Sequence, residues 1–481
     1  MKSSNNKKIT LTNVMIVAAI IVVIVAFILE LVIVANIEEF KKYIEEQNVI
    51  DFVYLIALLI GTPIVLLVTV IVIFKRIREN ARALYRYQRH HGSYQLSLPN
   101  ELLVEGTGSI GSSKASDKNN KNISRFSILK QIDKKRETYS KDDYINNITL
   151  EMFCDDFRNY SANELGLYYR AEDIRSFISG LGVSHILILQ GMSGTGKTSL
   201  AYAFGRFVEN PSTVIPIQPM WKERTDLIGY YNEFTKHFNE TALLKKMYEA
   251  NYSEDIYITV LDEMNIARVE YYFAEFLSLL ELPRADERYM EVVSDKWATD
   301  PASLKDGQIQ LPTNMWFIGT ANNDDSTFAI SDKVYDRAMI LNLDNKCEPF
   351  RGRNSSNLHL SAKDFDRLIL NAQQENALTE RNKEKLKELD NYLTKHFQVT
   401  FGNRIMMQIN KYVPIYIGCG GEELDALDDI LSKKILRKLE MKNPIYVKNG
   451  ADGLVDKLNE LFGEEAMPRC KQYIRNIVNN I

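Results

Sequence analysis

One segment constrains the fold of this chain more than any other, the stretch HILILQGMSGTGKTS from His185 to Ser199. An apolar, β-branched run leads directly into the spacing G-x-x-x-x-G-K-[ST], and the following letters SLAYAFGRFVE predict a helix. A strand, a glycine-rich loop and a helix N-terminus in this order bring backbone N–H groups to one point. The segment therefore predicts a phosphate-binding loop rather than an ordinary turn between a core strand and a helix.

The residues of this loop differ in their predicted roles. Its three glycines would allow the tight turn and the close approach of backbone N–H groups to the α and β phosphates. The ammonium of Lys197 would reach the β and γ phosphates, and the hydroxyl of Thr198 would ligate Mg²⁺. The predicted nucleotide-binding residues are Gly191, Ser193, Gly194, Thr195, Gly196, Lys197, Thr198 and Ser199.

A second predicted strand ends in two carboxylates. The stretch IYITVLDE, from Ile256 to Glu263, is apolar and β-branched up to Asp262, as in a central parallel strand whose carboxyl end faces a ligand crevice. Asp262 is predicted to hold Mg²⁺, and Glu263 is predicted to polarise the attacking water. A solvated acidic turn is the alternative, and the position after a phosphate loop favours the metal site.

A third strand and a following arginine extend the same pattern. The stretch MWFIGT, from Met315 to Thr320, leads to Asn322, whose amide is predicted to approach the γ-phosphate. Arg337 lies in ISDKVYDRAMI, a short predicted helix before another apolar strand. This position suits it to neutralise transition-state charge on a neighbouring subunit's nucleotide. Arg268, after the second strand, is the other candidate for that role.

Several further stretches occur together with these motifs in a fixed order. They are Trp221, RTDLIGYYN (Arg224–Asn232), LDEMNIARVEYYFAEFLSLLE (Leu261–Glu281) and SDKVYDRA (Ser331–Ala338). Together they resemble the AAA+ ATPases of the McrB-like, dynein-related (MoxR-type) branch, over roughly residues 164–440. The resemblance implies an α/β P-loop NTPase fold, in which helices flank a parallel sheet and a helical lid follows. The alternation of apolar strands with helical stretches agrees with it.

The resemblance also implies an activity and an assembly. Glu263, Asn322 and Arg337 would be catalytic in ATP hydrolysis with Mg²⁺, with Arg337 as the arginine finger, in a homo-oligomer that forms a hexameric ring. Arg404, within FGNRIMMQINKYV, matches the lid arginine that contacts the nucleotide in such proteins. McrB itself has a methionine-asparagine pair at the end of the third strand, whereas this chain has Ala321 and Asn322. The nucleotide is therefore either ATP or GTP.

Two hydrophobic segments precede all of these motifs. Val14 to Ala35 is apolar apart from Glu30, and Phe52 to Phe74 contains no charged residue, so each is long enough to cross a bilayer. A cleaved signal peptide fits the first segment poorly, because the apolar run is too long and no small-residue cleavage site follows. Lysines and arginines flank the pair on its outer sides. They predict a cell-membrane protein with two spans, whose termini and ATPase domain are cytoplasmic.

Charge separates the first part of the chain from the rest. Residues 1–91 carry a net charge of +4, whereas the other 390 residues carry −8, which together give the −4 of the whole chain. Arg78, Arg82, Arg86 and Arg89 recur at helical spacing after the second span and would face anionic headgroups of the lipid bilayer. DNA is the other candidate partner, and the acidic remainder of the chain disfavours it.

Composition divides the chain into five predicted regions. Residues 105–122 are rich in Gly, Ser, Asn and Lys, which predicts a flexible tether. Residues 289–311 are typical of a hairpin-like insertion, whose polar tip either projects towards a pore or a partner or forms an ordinary surface loop. The regions are 1–91 for the membrane hairpin and basic helix, 92–160 for a flexible linker, 161–350 for the AAA+ core, 351–440 for the lid and 441–481 for a C-terminal helical extension.

These features favour a membrane-anchored ATPase that binds and hydrolyses ATP to remodel a partner complex through an effector or substrate protein that the sequence does not identify. One alternative is a membrane-tethered nucleotide switch or scaffold, and the complete set of Asp262, Glu263 and Arg337 favours the ATPase over it. The other is a GTP-dependent, McrB-like restriction or defence subunit that acts with a separate nuclease. A hydrophobic N-terminal region in place of a DNA-reading domain disfavours that alternative.

Overall fold

The computed structural model describes residues 124–137, 139, 144–145, 147–322, 327–344 and 346–479. The two predicted membrane spans, the four arginines between residues 78 and 89, and the tether lie outside these residues. Within the described part, no helix combines the length and the apolar character that crossing a membrane requires.

A parallel sheet of five strands forms the centre of the fold. The strands of the described part are β1 (Ile186–Gly191), β2 (Thr213–Pro216), β3 (Tyr231–Asn232), β4 (His237–Phe238), β5 (Tyr257–Asp262), β6 (Tyr289–Glu291), β7 (Gln308–Gln310), β8 (Met315–Asn322) and β9 (Met339–Asn342). The order in the sheet is β2, β5, β8, β1, β9, and every neighbouring pair is parallel. This arrangement confirms the predicted sheet and puts the carboxyl ends of β1, β5 and β8 at one edge. The strands β6 and β7 form the antiparallel hairpin predicted within residues 289–311.

β1 is buried on both faces, as its unbroken apolar sequence predicts. Leu187 and Leu189 pack into a core that continues through the helices of one face into the lid. Ile186 and Ile188 pack into a second core on the opposite face. All four side chains are at most 2% exposed. Because each buried aliphatic side chain contributes about 1.5–3 kcal/mol, the strand is a firm support for the loop that follows it.

Helices cover both faces of the sheet. Those before residue 336 are α1 (Ile128–Arg136), α2 (Leu150–Leu165), α3 (Ala171–Val183), α4 (Lys197–Phe207), α5 (Arg224–Ile228), α6 (Ala242–Ala250), α7 (Val269–Tyr272), α8 (Ala274–Leu280) and α9 (Asp332–Tyr335), with 3₁₀ turns at Met264–Ile266 and Ala285–Glu287. Two of these helices, α1 and the first part of α2, lie in the second half of the region predicted as a flexible linker, residues 92–160. Phe153 and Phe157 of α2 are fully buried, and their i, i+4 spacing places both on the face of the helix that packs on the core.

The segment that leads into α1 is held by residues beside two antiparallel hairpins, β3–β4 and β6–β7. The guanidinium of Arg125, which is 1% exposed, donates to Asp300 at 2.8 and 2.9 Å and to Asp295 at 2.6 Å, both beyond β6. The carboxylate of Glu240, which follows β4, accepts hydrogen bonds from the N–H groups of residues 127–129 at 2.7–3.0 Å. It thereby satisfies the donors that the first turn of α1 leaves unpaired and complements the helix dipole.

From Ala362 to Asn479 the described chain is almost entirely helical. Its helices are α10 (Ala362–Glu375), α11 (Glu380–Phe397), α12 (Gly402–Gly418), α13 (Glu423–Lys434), α14 (Pro444–Phe462) and α15 (Pro468–Asn479), with a 3₁₀ turn at Leu436–Met441. Asp428 joins α13 to α15, because its carboxylate accepts the N–H groups of Arg469 and Cys470 at 2.8 Å each. The lid and the C-terminal extension, predicted as separate regions, therefore share one core.

Candidate nucleotide site

The chain between β1 and α4 forms a loop that requires glycine. Gly191, Gly194 and Gly196 have φ angles of +142°, +78° and +90°, which residues with a side chain rarely adopt. A Cβ at Gly191 would lie 2.6 Å from the carbonyl oxygen of Leu343, so a side chain has no room there. The hydroxyl of Tyr169 donates to the carbonyl oxygen of Gly196 at 3.1 Å. The loop thus presents the N-terminus of α4 at the carboxyl end of the sheet, where an anion is favoured.

Lys197, the first residue of α4, is buried with its ammonium turned back onto the loop. Its Nζ donates to the carbonyl oxygens of Gly191 and Met192 at 2.9 and 2.7 Å. Ser193 is exposed at the tip of the loop, and the hydroxyl of Thr195 donates to Met192 at 3.0 Å. The ammonium therefore lies within the loop, at the place predicted for the β and γ phosphates.

Three oxygen-bearing side chains meet where β5 and β8 end beside the loop. The hydroxyl of Thr198 donates to Oδ1 of Asp262 at 2.7 Å, and the hydroxyl of Thr320 on β8 donates to the same oxygen at 2.9 Å. Ser199 follows Thr198 on α4 and is partly exposed. Mg²⁺ prefers oxygen ligands and is commonly held by one or two protein groups together with waters and phosphate oxygens. The pair Thr198 and Asp262 fits this requirement.

Glu263 stands directly after β5 in a left-handed backbone conformation, with φ 52° and ψ 48°. For a residue with a side chain this conformation costs about 1–2 kcal/mol. The backbone is held there by its N–H group, which donates to Oγ1 of Thr320 at 2.9 Å. The side chain is exposed beside Asp262. The left-handed turn thus keeps the carboxylate at the phosphate edge of the sheet, where a water can approach it.

Asn322 ends β8 next to Gly191, at the same edge of the sheet. Its carbonyl oxygen accepts hydrogen bonds from Nδ2 of Asn265 at 3.0 Å and from the hydroxyl of Thr327 at 3.2 Å. Asn265 is 5% exposed, and its Oδ1 is buried without a hydrogen-bond partner among the described residues. The turn after β5 therefore holds the backbone of Asn322.

The two predicted arginines lie elsewhere, at the amino-terminal end of the sheet. Nη2 of Arg337 is 2.6 Å from one carboxylate oxygen of Glu281, and Arg404 on α12 pairs with the other oxygen. Both arginines line a cavity of about 670 Å³ together with His185, which precedes β1. The structure therefore brings Arg404 to Arg337 and not to the phosphate loop. The other candidate, Arg268, is exposed at the start of α7.

Three residues take part in these contacts although no sequence motif assigns them a role. Thr320 places a hydroxyl in the otherwise apolar run MWFIGTA. A polar side chain in a buried strand is a signal that could have identified it. Asn265 follows the two carboxylates in LDEMN, yet its role depends on the turn that brings it under β8. Glu281 ends an ordinary amphipathic run, so only the fold reveals its partners.

A second cavity, of about 400 Å³, lies between the end of β9 and the lid. Asn342 and Asp344 line it from the sheet, and Lys433 lines it from α13. Burial raises the pKa of Asp344. A Cβ at Gly191 would be 3.4 Å from the carboxylate of Asp344, so this cavity borders the phosphate loop. Its size is within the range of pockets for small ligands.

Two family descriptions match parts of this chain. Residues 186–338 match the AAA domain of the dynein-related subfamily, a range that begins with β1 and ends just after Arg337. Residues 355–481 match a domain of unknown function, DUF8727, which covers α10 to α15. No curated protein sequence matches the chain. The chain therefore carries an AAA+ ATPase domain of the P-loop NTPase class, followed by a helical domain whose range spans the predicted boundary at residue 440.

Solved structures are similar to the chain at low sequence identity. One is a protein from Cytophaga hutchinsonii described as a candidate ATPase, with 14% identity and a TM-score of 0.42, over 69% of this chain and 96% of that one. Another is a full-length MCM homologue from Methanopyrus kandleri, with 11% identity and a TM-score of 0.33, over 64% of this chain and 62% of that one.

Proposed function

We propose that this protein is a membrane-anchored AAA+ ATPase of the McrB-like branch, which hydrolyses ATP with Mg²⁺ and uses motion of the lid against the core to remodel a partner complex. The observation that carries the ATPase part is the hydrogen bond between Thr198 and Asp262. It joins the phosphate loop to a metal-binding carboxylate at the edge of the sheet where Glu263 also lies. Hydrolysis of a nucleoside triphosphate needs these three parts together.

Each residue then has a role in the reaction. Lys197 exchanges its carbonyl partners for phosphate oxygens, which are charged and therefore stronger acceptors. Mg²⁺ held by Thr198 and Asp262 would offset charge on the β and γ phosphates. Glu263 orients a water and accepts its proton as the water oxygen attacks the γ-phosphorus and the bond to the β-phosphate oxygen breaks. Asn322 orients the same water through its amide.

Arg337 and Arg404 support a site that is shared between subunits. Both lie at the opposite end of β1 from the phosphate loop of their own chain, at a distance of roughly 16 Å for a strand of this length. Their side chains are partly exposed, at 24% and 48%. We assign both to the γ-phosphate of a neighbouring subunit in a hexameric ring. This assignment replaces the role of Arg404 at its own nucleotide that the sequence resemblance implies.

The membrane anchor rests on the two hydrophobic segments, Val14 to Ala35 and Phe52 to Phe74. The positive residues that flank them support a cytoplasmic ATPase domain. Anchored in this way, the ring would act through an effector or substrate protein on a complex in or beside the bilayer. The net charge of −8 beyond residue 91 makes DNA a less suitable partner.

Subunit mixing tests the shared site. Arg337→Ala and Lys197→Ala should each abolish ATP turnover, whereas a mixed oligomer of the two should regain part of it. In the mixture, some sites combine an intact Lys197 from one subunit with an intact Arg337 from the next. Lys197→Ala mixed with Glu263→Gln is the control and should stay inactive, because both residues belong to the same subunit's site. An inactive Arg337 mixture with demonstrated co-assembly would count against shared sites.

A further inference from the structure

We propose that Glu281 is a positioning residue for hydrolysis at the neighbouring subunit's site. It holds the guanidinium groups of Arg337 and Arg404 side by side, so that both face one γ-phosphate. This inference rests on the shared site proposed above and adds to it a residue that does not itself touch the nucleotide.

The carboxylate of Glu281 divides its two oxygens between the two arginines. Oε2 is 2.6 Å from Nη2 of Arg337, and Oε1 pairs with Nη2 of Arg404. Nη1 of Arg337 also donates to the carbonyl oxygen of Lys333 at 2.6 Å, and its Nε is buried without a hydrogen-bond partner in the part that the structure describes. A guanidinium has five N–H donors. Each arginine therefore keeps donors for an anion while Glu281 fixes its orientation.

The charges of the cavity show why a carboxylate is needed between these arginines. Four cationic side chains line it, since Arg288 and Lys411 accompany Arg337 and Arg404. Two carboxylates, Glu281 and Asp366, also line it, and Glu281 is the one that bridges two of the cationic groups. Two guanidinium groups that pair with the same carboxylate are close enough to repel each other, unless its negative charge lies between them. Without Glu281 they should move apart, and a phosphate would have to order both again.

The backbone around Arg337 does not depend on Glu281, because the lid holds it. Nε2 of Gln408 donates to the carbonyl oxygen of Asp336 at 3.1 Å, and Nζ of Lys434 donates to those of Tyr335 and Ala338 at 2.6 and 2.7 Å. Removing the charge of Glu281 therefore frees the guanidinium groups and leaves the segment in place. A single substitution can test position without unfolding the site.

Glu281→Gln in the full-length protein is the decisive variant. We expect kcat for ATP to fall about tenfold or more, because small displacements of catalytic groups reduce rates by this order. The KM for ATP and the affinity for a fluorescent ATP analogue should stay unchanged, since the subunit's own phosphate loop is intact. Mixing Glu281→Gln with Lys197→Ala should restore part of the turnover, as expected for Arg337→Ala.

Two matched variants complete the experiment. Glu287→Gln removes a carboxylate that pairs with Arg284 outside this cavity and should leave turnover unchanged. Glu281→Asp keeps the charge and should recover part of kcat. Unchanged or increased turnover in Glu281→Gln would overturn the proposal, and so would a lack of rescue when Arg337→Ala is rescued in parallel. If neither variant is rescued, the shared site itself is contradicted.

Discussion

The hydroxyl of Thr198 lies 2.7 Å from a carboxylate oxygen of Asp262, although 64 positions separate the two residues in the chain. Thr198 follows β1 and Asp262 ends β5, and β8 lies between these strands in the sheet. Thr320 on β8 donates to the same oxygen of Asp262. The order of three parallel strands thus assembles the predicted metal site, because each contributes a polar side chain at or beyond its carboxyl end.

Thr320→Val tests the hydrogen bonds that connect β8 to the end of β5. The substitution keeps the shape of the side chain and removes the hydroxyl that serves both Asp262 and the N–H group of Glu263. We expect the free energy of unfolding to fall by about 1–3 kcal/mol, because the carboxylate of Asp262 and the N–H group of Glu263 each lose a hydrogen-bond partner. Turnover should fall about tenfold, because Glu263 is held less firmly. Thr259→Val, an equally buried threonine on β5, is the control and should keep normal turnover.

Glu263→Gln should separate nucleotide binding from hydrolysis. The amide cannot accept a proton from water, so phosphate release should fall by a factor of about 10² to 10⁴. Affinity for a fluorescent ATP analogue should not change, because the phosphate loop and Asp262 are intact. Glu249→Gln, on α6 in an ion pair with Lys246, is a suitable control. Normal hydrolysis by the Glu263 variant would remove this residue from the mechanism.

His185 should make stability depend on pH in the mildly acidic range. Burial, with a smaller effect of the nearby Arg288, lowers the pKa of His185 to about 4. The unfolded chain therefore binds more protons between pH 6.5 and 4, and stability is lost as the pH falls through this window, by at most about 1.4 kcal/mol per pH unit. Urea unfolding followed by tryptophan fluorescence can measure this, since Trp316 lies 5.0 Å from the imidazole. His185→Gln should show a flatter profile over the same range.

Removal of residues 1–91 tests the membrane anchor. The shortened protein should be soluble without detergent and should still bind nucleotide, because the described site lies entirely beyond residue 160. Fractionation of cells that express it, followed by a nucleotide-binding assay, gives both results. If the shortened protein remained in the membrane fraction, the two hydrophobic segments would not be the anchor.

The central sheet and the phosphate loop follow from sequence because their determinants are local. The glycines of the loop are required by backbone angles, and the apolar run before them is required by burial on both faces of β1. The place of Asp262 at the end of an apolar, β-branched run is equally local. These are the parts of the site, including Lys197, Thr198 and Asp262, that sequence patterns predict directly.

The pairing of Arg337, Arg404 and Glu281 does not follow from sequence, because it depends on how the lid packs against the sheet. A motif can mark an arginine on α12 but not the direction in which that helix presents it. The packing of α1 and α2 on the core does not follow from sequence for a related reason. Their polar faces resemble linker sequence, and only the packing of residues such as Phe153 shows that they belong to the core.

Steady-state phosphate release by the full-length protein, over a series of protein concentrations with ATP and with GTP, tests the central claim most directly. Because the site is shared between subunits, specific activity should rise with protein concentration. ATP should be preferred to GTP, and Lys197→Ala should abolish the signal. Preference for GTP would favour the restriction-like alternative. Tight nucleotide binding with no turnover at any concentration would contradict the ATPase account and favour a nucleotide switch.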